Sequence, residues 1–215
     1  MRSEVLIPFQ EEVDRYEQWF TRHEAVFESE LLAIREQLRK LPADISGVEI
    51  GVGTGQFASR LGIVDGIDPV EAMRDRAVER GIETMDADAE HLPYQDLYFD
   101  FTLFVTICYL ENAQLAFREA YRVLKDGGSI LVGLIDRDRP IGQEYMGRQS
   151  DSTFYRHARF YPVDRVARML EKAGFRDLEY VQTLFGKLDE ITEVQAPKEG
   201  YGEGGFVVVK GQKKM

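Results

Sequence analysis

The sequence predicts a doubly wound α/β fold, a parallel sheet covered by helices on both faces, and three observations predict it. From Gly47 onward the short apolar runs VEIGV, IVDGID, FDFTLFV and SILVGLI are separated by segments with helical spacing, the pattern of parallel strands joined by helices. The runs are continuously apolar rather than alternating, as a sheet buried on both sides requires. The first run passes directly into Gly51-Val52-Gly53-Thr54-Gly55, with a helix expected immediately after.

The elements follow in order. Residues 11 to 20, EEVDRYEQWF, read as a short helix with acid at its start and Tyr16, Trp19 and Phe20 as an aromatic cluster. Phe27, Leu31, Ile34, Leu38 and Leu41 recur at the period of an amphipathic helix over 24 to 41, which Pro42 ends. Residues 1 to 44 are therefore expected to be a helical extension or lid ahead of a domain spanning 45 to 215. Farther on, Phe117, Ala120, Tyr121 and Leu124 share one helix face, and Val163, Val166, Ala167 and Leu170 another. Asp126-Gly127-Gly128 is read as the stop of the first helix and Gly174 as the stop of the second. RDLEYVQTLF and GGFVVVKG read as two more strands, separated by a polar loop from Gly186 to Gly205.

Composition narrows the function. The 215 residues suit one domain with a short extension, and 44% hydrophobic residues suffice for a core. With 27 basic and 38 acidic side chains the net charge is −11, which disfavours broad attraction to phosphate backbones or anionic membranes. The longest apolar stretch, residues 101 to 110, is about half the roughly 20 residues a membrane-crossing helix needs. The first 30 residues lack an apolar signal core, so a cytoplasmic location is expected. One cysteine, Cys108, forms neither an intrachain disulfide nor a thiolate metal site alone, and is read as an inert core thiol; no metal is expected.

The glycine turn carries the chemistry. Without Cβ atoms, Gly51, Gly53 and Gly55 let the chain take positive φ and bring a ligand against the backbone at a helix N-terminus. A dinucleotide fingerprint would place its third glycine at position 56, which is Gln56, and no lysine completes a phosphate loop. Asp68, ending IVDGID, is delivered beside the turn by a second parallel strand, where two ribose hydroxyls suit it. Asp68-Pro69-Val70-Glu71 also reads as an N-cap, a proline at N1 and a capping-box glutamate.

VEIGVGTGQFA at 48 to 58, Gly66 to Asp68 with Met73 after it, ADAEHLP at 87 to 93, FDFTLFV, and FREAYRVLKDGGSILVG at 117 to 133 together resemble class I S-adenosylmethionine-dependent methyltransferases. The small-molecule branch, similar to the ubiquinone and menaquinone biosynthesis methyltransferases, is the nearest in pattern. The resemblance implies a Rossmann-like, mostly parallel seven-stranded sheet with an antiparallel C-terminal strand. It implies S-adenosylmethionine as cofactor, with Glu49 near its ammonium, Gly51, Gly53 and Gly55 along its methionine part, and Asp68 on its ribose. It places Met73 near the adenine, Asp88 on the adenine amino group, the Ala89 N–H on a ring nitrogen, and Thr106 beside the cofactor. Tyr16 resembles a lid tyrosine. Glu49, Asp68 and Asp88 would be awkward around a pyrophosphate and suit a phosphate-free cation.

The expected reaction is in-line methyl transfer to a small organic acceptor, in which positioning supplies about 7–11 kcal/mol and a general base roughly 3–5. His157, in STFYRHARFYP, is the candidate base, ahead of His91 and His23. Tyr145, Phe154, Tyr155, Phe160 and Tyr161 are candidates to line an apolar pocket. No Asn/Asp-Pro-Pro-Tyr-like sequence follows the fourth strand, so methylation of nucleic-acid bases is not expected. The competing readings are a non-catalytic binder of S-adenosylmethionine or S-adenosylhomocysteine, and a nicotinamide oxidoreductase, which Gln56 disfavours.

Overall fold

Ile130, Val132 and Leu134 join the hydrophobic core on one face of the sheet, while Leu131 between them joins the core on the other. The same division separates Val207 and Val209 from Phe206 and Val208. Both faces are buried, which is why the sequence of these strands shows no polar alternation. The computed structural model describes residues 3–105 and 107–214.

The chain runs α1 (Ser3–Glu11), α2 (Val13–Arg22), α3 (Glu24–Leu38), β1 (Gly47–Ile50), α4 (Gln56–Leu61), β2 (Asp65–Ile67), α5 (Glu71–Glu79), β3 (Glu83–Met85), β4 (Phe99–Phe104), α6 (Ala113–Val123), β5 (Leu124–Ile135), α7 (Pro140–Gly147), α8 (Val163–Ala173), β6 (Arg176–Thr183), β7 (Lys198–Glu199) and β8 (Phe206–Gln212). The sheet order is β3-β2-β1-β4-β5-β8-β6-β7. β1 to β5 pair in parallel, and β8 is antiparallel to both β5 and β6. The cores of both faces take in helices: α6 and α8 supply Phe117, Ala120, Val166 and Leu170 on one side, and α3, α4 and α5 supply Leu31, Ile34, Phe57 and Ala77 on the other. The mostly parallel, helix-covered sheet with an antiparallel C-terminal strand is the fold class the sequence predicts. No helix among the described residues is long and apolar enough to cross a membrane.

Several local expectations are corrected. The sheet has eight strands rather than seven, because Lys198–Glu199, inside the expected loop, pairs with Val181 and Gln182 at the sheet edge. Both of its residues are exposed, so no apolar signal marked it. β3 is exposed at both ends and equally silent. A further helix, α1, precedes the expected one, and the chain breaks at Glu12 between α1 and α2. α3 stops at Leu38, three residues short of its predicted end, because the chain turns at Arg39 and Lys40. Asp126-Gly127-Gly128 does not stop α6: the helix passes straight into β5 at Leu124, and the Asp-Gly-Gly is an irregularity in β5, between the pairings Phe99 to Leu124 and Phe101 to Ser129. Gly127 takes φ +79° there. Gly174, at φ 115°, ends α8 as expected.

What closes the C-terminal end of α6 is remote in sequence. Lys213, 7% exposed, donates through Nζ to the carbonyls of Tyr121 (2.9 Å) and Leu124 (2.8 Å), with its charge over the Tyr121 ring. A cation at a helix C-terminus is favoured by the dipole. Lys213→Met leaves those carbonyls without this donor and is expected to cost about 1–3 kcal/mol, read by urea unfolding.

Candidate functional site

Parallel pairing of β1 with β2, Ile50 opposite Ile67, brings the glycine turn and Asp68 to the same edge of the sheet. The site lies at the C-terminal ends of β1, β2 and β4, beside the point where the strand order reverses. Gly51, Gly53 and Gly55 take φ of 77°, 53° and 77°. Their N–H groups are largely committed within the protein: Gly51 and Val52 donate to the Ile67 carbonyl, Gly55 to that of Val52, and Gly53 to Asp68 Oδ2 at 3.0 Å. The turn offers the room left by its missing Cβ atoms rather than an open array of N–H donors. A Cβ on Gly53 would face the Tyr16 hydroxyl at 3.5 Å, across open pocket, whereas one on Gly55 would press on Ala77 Cα at 3.1 Å.

Asp68, 8% exposed, accepts from Gly53 N and, at 2.9 Å, from Val70 N. The N-cap reading is displaced: α5 begins at Glu71, and Asp68 closes a turn onto Val70 instead of capping the helix. Burial raises its pKa to about 6, with the two N–H bonds opposing. Glu49, 1% exposed, lies beneath the turn with Oε2 lacking a hydrogen-bond partner among the described residues. Burial drives its pKa well above the carboxylate range, the backbone of Ala58 opposing and the Asp68 charge reinforcing.

α2 is tied to this turn. Glu17 accepts from Gln56 Nε2 at 2.9 Å and pairs with Arg80, which also donates to the Thr54 carbonyl. Gln56, whose identity argued against a dinucleotide, therefore links the start of α4 to the N-terminal helices. The tie holds Tyr16 over the turn, where burial raises its hydroxyl pKa and the neighbouring Tyr155, Asp68 and Glu49 add to the effect.

Two cavities meet at Tyr16 and Tyr109, which line both. The smaller, about 70 Å³, is walled by Gly51, Gly53, Asp68, Met73 and Ala89, with Phe9 of α1 across it. The larger, about 510 Å³, is walled by aromatic rings. Tyr145, Phe154, Tyr155, Phe160 and Tyr161 all reach it, as the pocket reading of that stretch anticipated. His157 does not: it is exposed on a 3-10 turn, Tyr155–His157, of which Tyr155 lines the cavity instead. His91 is exposed and pairs with Asp88 at 3.0 Å, leaving Asp88 half-buried beside the smaller cavity rather than in its wall. His23 lines the larger cavity, with its pKa lowered by burial. Cys108 is not core: it follows β4 on a 3-10 turn and lines the larger cavity, its thiol pushed up to about 12 by burial. Thr106 lies outside the described residues. Sequence reasoning missed Glu30, Phe9 and Tyr109, which carry no motif and whose placement depends on how the helices cross the sheet.

The methyltransferase-domain family model matches residues 48–132. An S-adenosylmethionine-dependent methyltransferase from Thermotoga maritima, described as a possible histamine N-methyltransferase, is 43% identical, covers 98% of this chain and 100% of its own, and superposes with a TM-score of 0.92. The chain belongs to the S-adenosylmethionine-dependent methyltransferases. An uncharacterized protein of Methanocaldococcus jannaschii is 39% identical over 206 residues, 95% of this methyltransferase and 98% of that protein. A ubiquinone/menaquinone biosynthesis C-methyltransferase from Brucella canis is 32% identical over 171 residues, 63% of each chain. The residues present fit S-adenosylmethionine: the unpartnered Glu49 Oε2 and the acid at Asp68 suit a ligand bearing an ammonium and hydroxyls, and the glycine turn leaves room that a Cβ would fill.

Gly53→Ala is expected to cost about 1–2 kcal/mol of backbone strain yet to abolish S-adenosylhomocysteine binding by calorimetry. Gly55→Ala adds the Ala77 contact to the same strain and is expected to lose more stability than Gly53→Ala in thermal unfolding.

Proposed function

We propose that this methyltransferase acts on a small organic acceptor held in the aromatic cavity, by in-line transfer. One observation carries the reading: a cavity of about 510 Å³, large enough for a small molecule, lies next to the pocket at the glycine turn, with Tyr16 and Tyr109 lining both. When bound, the cofactor supplies a methyl carbon made electrophilic by its sulfonium. The protein then has mainly to hold and orient, which is worth about 7–11 kcal/mol where both reactants are kept at near-attack distance.

In this reading Gly51, Gly53 and Gly55 pass beneath the methionine part of the cofactor, and Glu49 receives its ammonium. Asp68 retains lone pairs for the ribose hydroxyls beyond the two N–H groups it already accepts. Met73, buried in the smaller cavity, packs against the adenine, with Ala89 and Asp88 on its polar edge. Within the helical lid or extension of residues 1–44, α1 acts as the lid: Phe9 packs on Val70 and Met73 and on the rings of Tyr16 and Tyr109, so α1 moves aside for the cofactor to enter. Thr106 keeps its proposed place beside the cofactor on sequence grounds. No step is assigned to His157. A concave aromatic site and a net charge of −11 support a small acceptor over a nucleic acid.

Labelled S-adenosylmethionine with a fractionated metabolite extract tests the proposal. Label is expected in a small-molecule fraction; tight cofactor binding with no label transferred would favour a non-catalytic binder.

Both buried acids titrate in one direction. Their folded-state pKa values are raised, so ionisation opposes folding and the stability they contribute is lost as pH rises, through about 6 for Asp68 and higher for Glu49. Cofactor binding uses the ionised forms, so S-adenosylhomocysteine affinity is expected to fall as pH drops through about 6. Glu49→Gln is expected to make the free protein no less stable at pH 7 while weakening that affinity about ten- to a hundredfold, by unfolding and calorimetry in parallel.

A further inference from the structure

Glu30 of α3 is 6% exposed, lines the larger cavity, and has no hydrogen bond or ion pair to its carboxylate among the described residues. A carboxyl group buried in that way is costly unless something pairs with it. The groups around it do not. Tyr145 of α7 and Tyr155 of the 3-10 turn Tyr155–His157 both feel its charge, and burial raises the pKa of both. Cys108, after β4, is a neutral thiol. His23, between α2 and α3, is held below its ordinary pKa. Glu144 of α7 is taken by Arg148 (3.1 Å) and by Leu188 N (3.1 Å).

The cavity's cations are committed elsewhere. Arg148 also reaches Asp189, Arg15 donates to Thr153, Arg22 to Gln18, and Arg159 to the Glu111 carbonyl. They are at the exposed rim, whereas Glu30 sits among rings. Trp19, Phe20, Tyr145, Tyr155 and Phe160 surround the same space, and aromatic faces together with a carboxylate favour a cation with an apolar body.

Resting on the small-acceptor reading above, we infer that Glu30 is the acceptor-specificity residue of this methyltransferase and that it pairs with the protonated nitrogen of a small amine. Burial alone raises the Glu30 pKa to about 8, so the carboxyl is mainly protonated at pH 7 before the amine arrives. Pairing with an ammonium stabilises the carboxylate, and its proton leaves to solvent. An incoming alcohol or acid gains nothing comparable.

The test is calorimetry on the full chain saturated with S-adenosylhomocysteine, at pH 7 in two buffers of different ionisation enthalpy. The probes are 2-phenylethylamine and 2-(imidazol-4-yl)ethylamine, each against its alcohol counterpart, with 3-phenylpropionate as the anionic comparison. The amines are expected to bind about ten- to a hundredfold more tightly than the alcohols, releasing up to one proton. Glu30→Gln is expected to erase both the preference and the proton release while S-adenosylhomocysteine still binds, which reports that the variant is folded. Proton release by the native chain is a readout independent of the variant. The inference is overturned if neither amine binds, if the alcohols or the anion bind as well as the amines, or if Glu30→Gln keeps the preference. Each of those results leaves cofactor binding intact and the methyltransferase reading in place; failure of S-adenosylhomocysteine to bind would remove both.

Discussion

Asp68 accepts from the N–H groups of Gly53 and Val70, and the rest of the site depends on that junction. It fixes the glycine turn against the end of β2, sets where α5 begins, and keeps a carboxylate at the edge of the sheet. Two backbone donors offset only part of the cost of burying it, as its raised pKa records. The parallel register of β1 and β2 makes the junction possible, because it brings both strand ends to one level.

Around this junction the N-terminal helices are part of the site rather than an appendage. Glu17 bridges Gln56 and Arg80, and Arg80 reaches the turn at Thr54, so α2, the glycine turn and the end of α5 share one polar network. That network explains how Tyr16 comes to stand between the two cavities. α3 contributes on the far side, packing Phe27, Leu31 and Ile34 into the core while Glu30 on the same helix lines the larger cavity. One helix thus both stabilises the sheet and furnishes a wall of the site.

Glu49, Asp68 and Glu30 share one electrostatic condition. Each is buried, and desolvation is the largest cause favouring its acid form, with a neighbouring carboxylate adding to it at Glu49 and Asp68. A protein that keeps acids in this state gives up stability, and a cationic or hydroxyl-bearing ligand recovers it when it binds.

The sequence by itself determined the sheet class, the glycine turn, Asp68 at the end of the second strand, the helices of the two faces and the aromatic stretch around Tyr155. These are local in origin: periodicity, continuous apolar runs and glycine spacing act over a few residues, so they can be read from a few residues. Tertiary structure decided the rest. His157 faces outward and Tyr155 inward because of how one 3-10 turn lies over the cavity, and Asp126-Gly127-Gly128 runs on into β5 because the backbone of Gly127 and Gly128 exchanges hydrogen bonds with Lys213, just beyond β8. Lys198–Glu199 is a strand only because β6 leaves an edge to pair with. Glu30, an unremarked glutamate in a helix of many charges, becomes a buried group of a cavity wall only when α3 crosses the sheet, since burial is a property of what surrounds a side chain and not of the side chain itself.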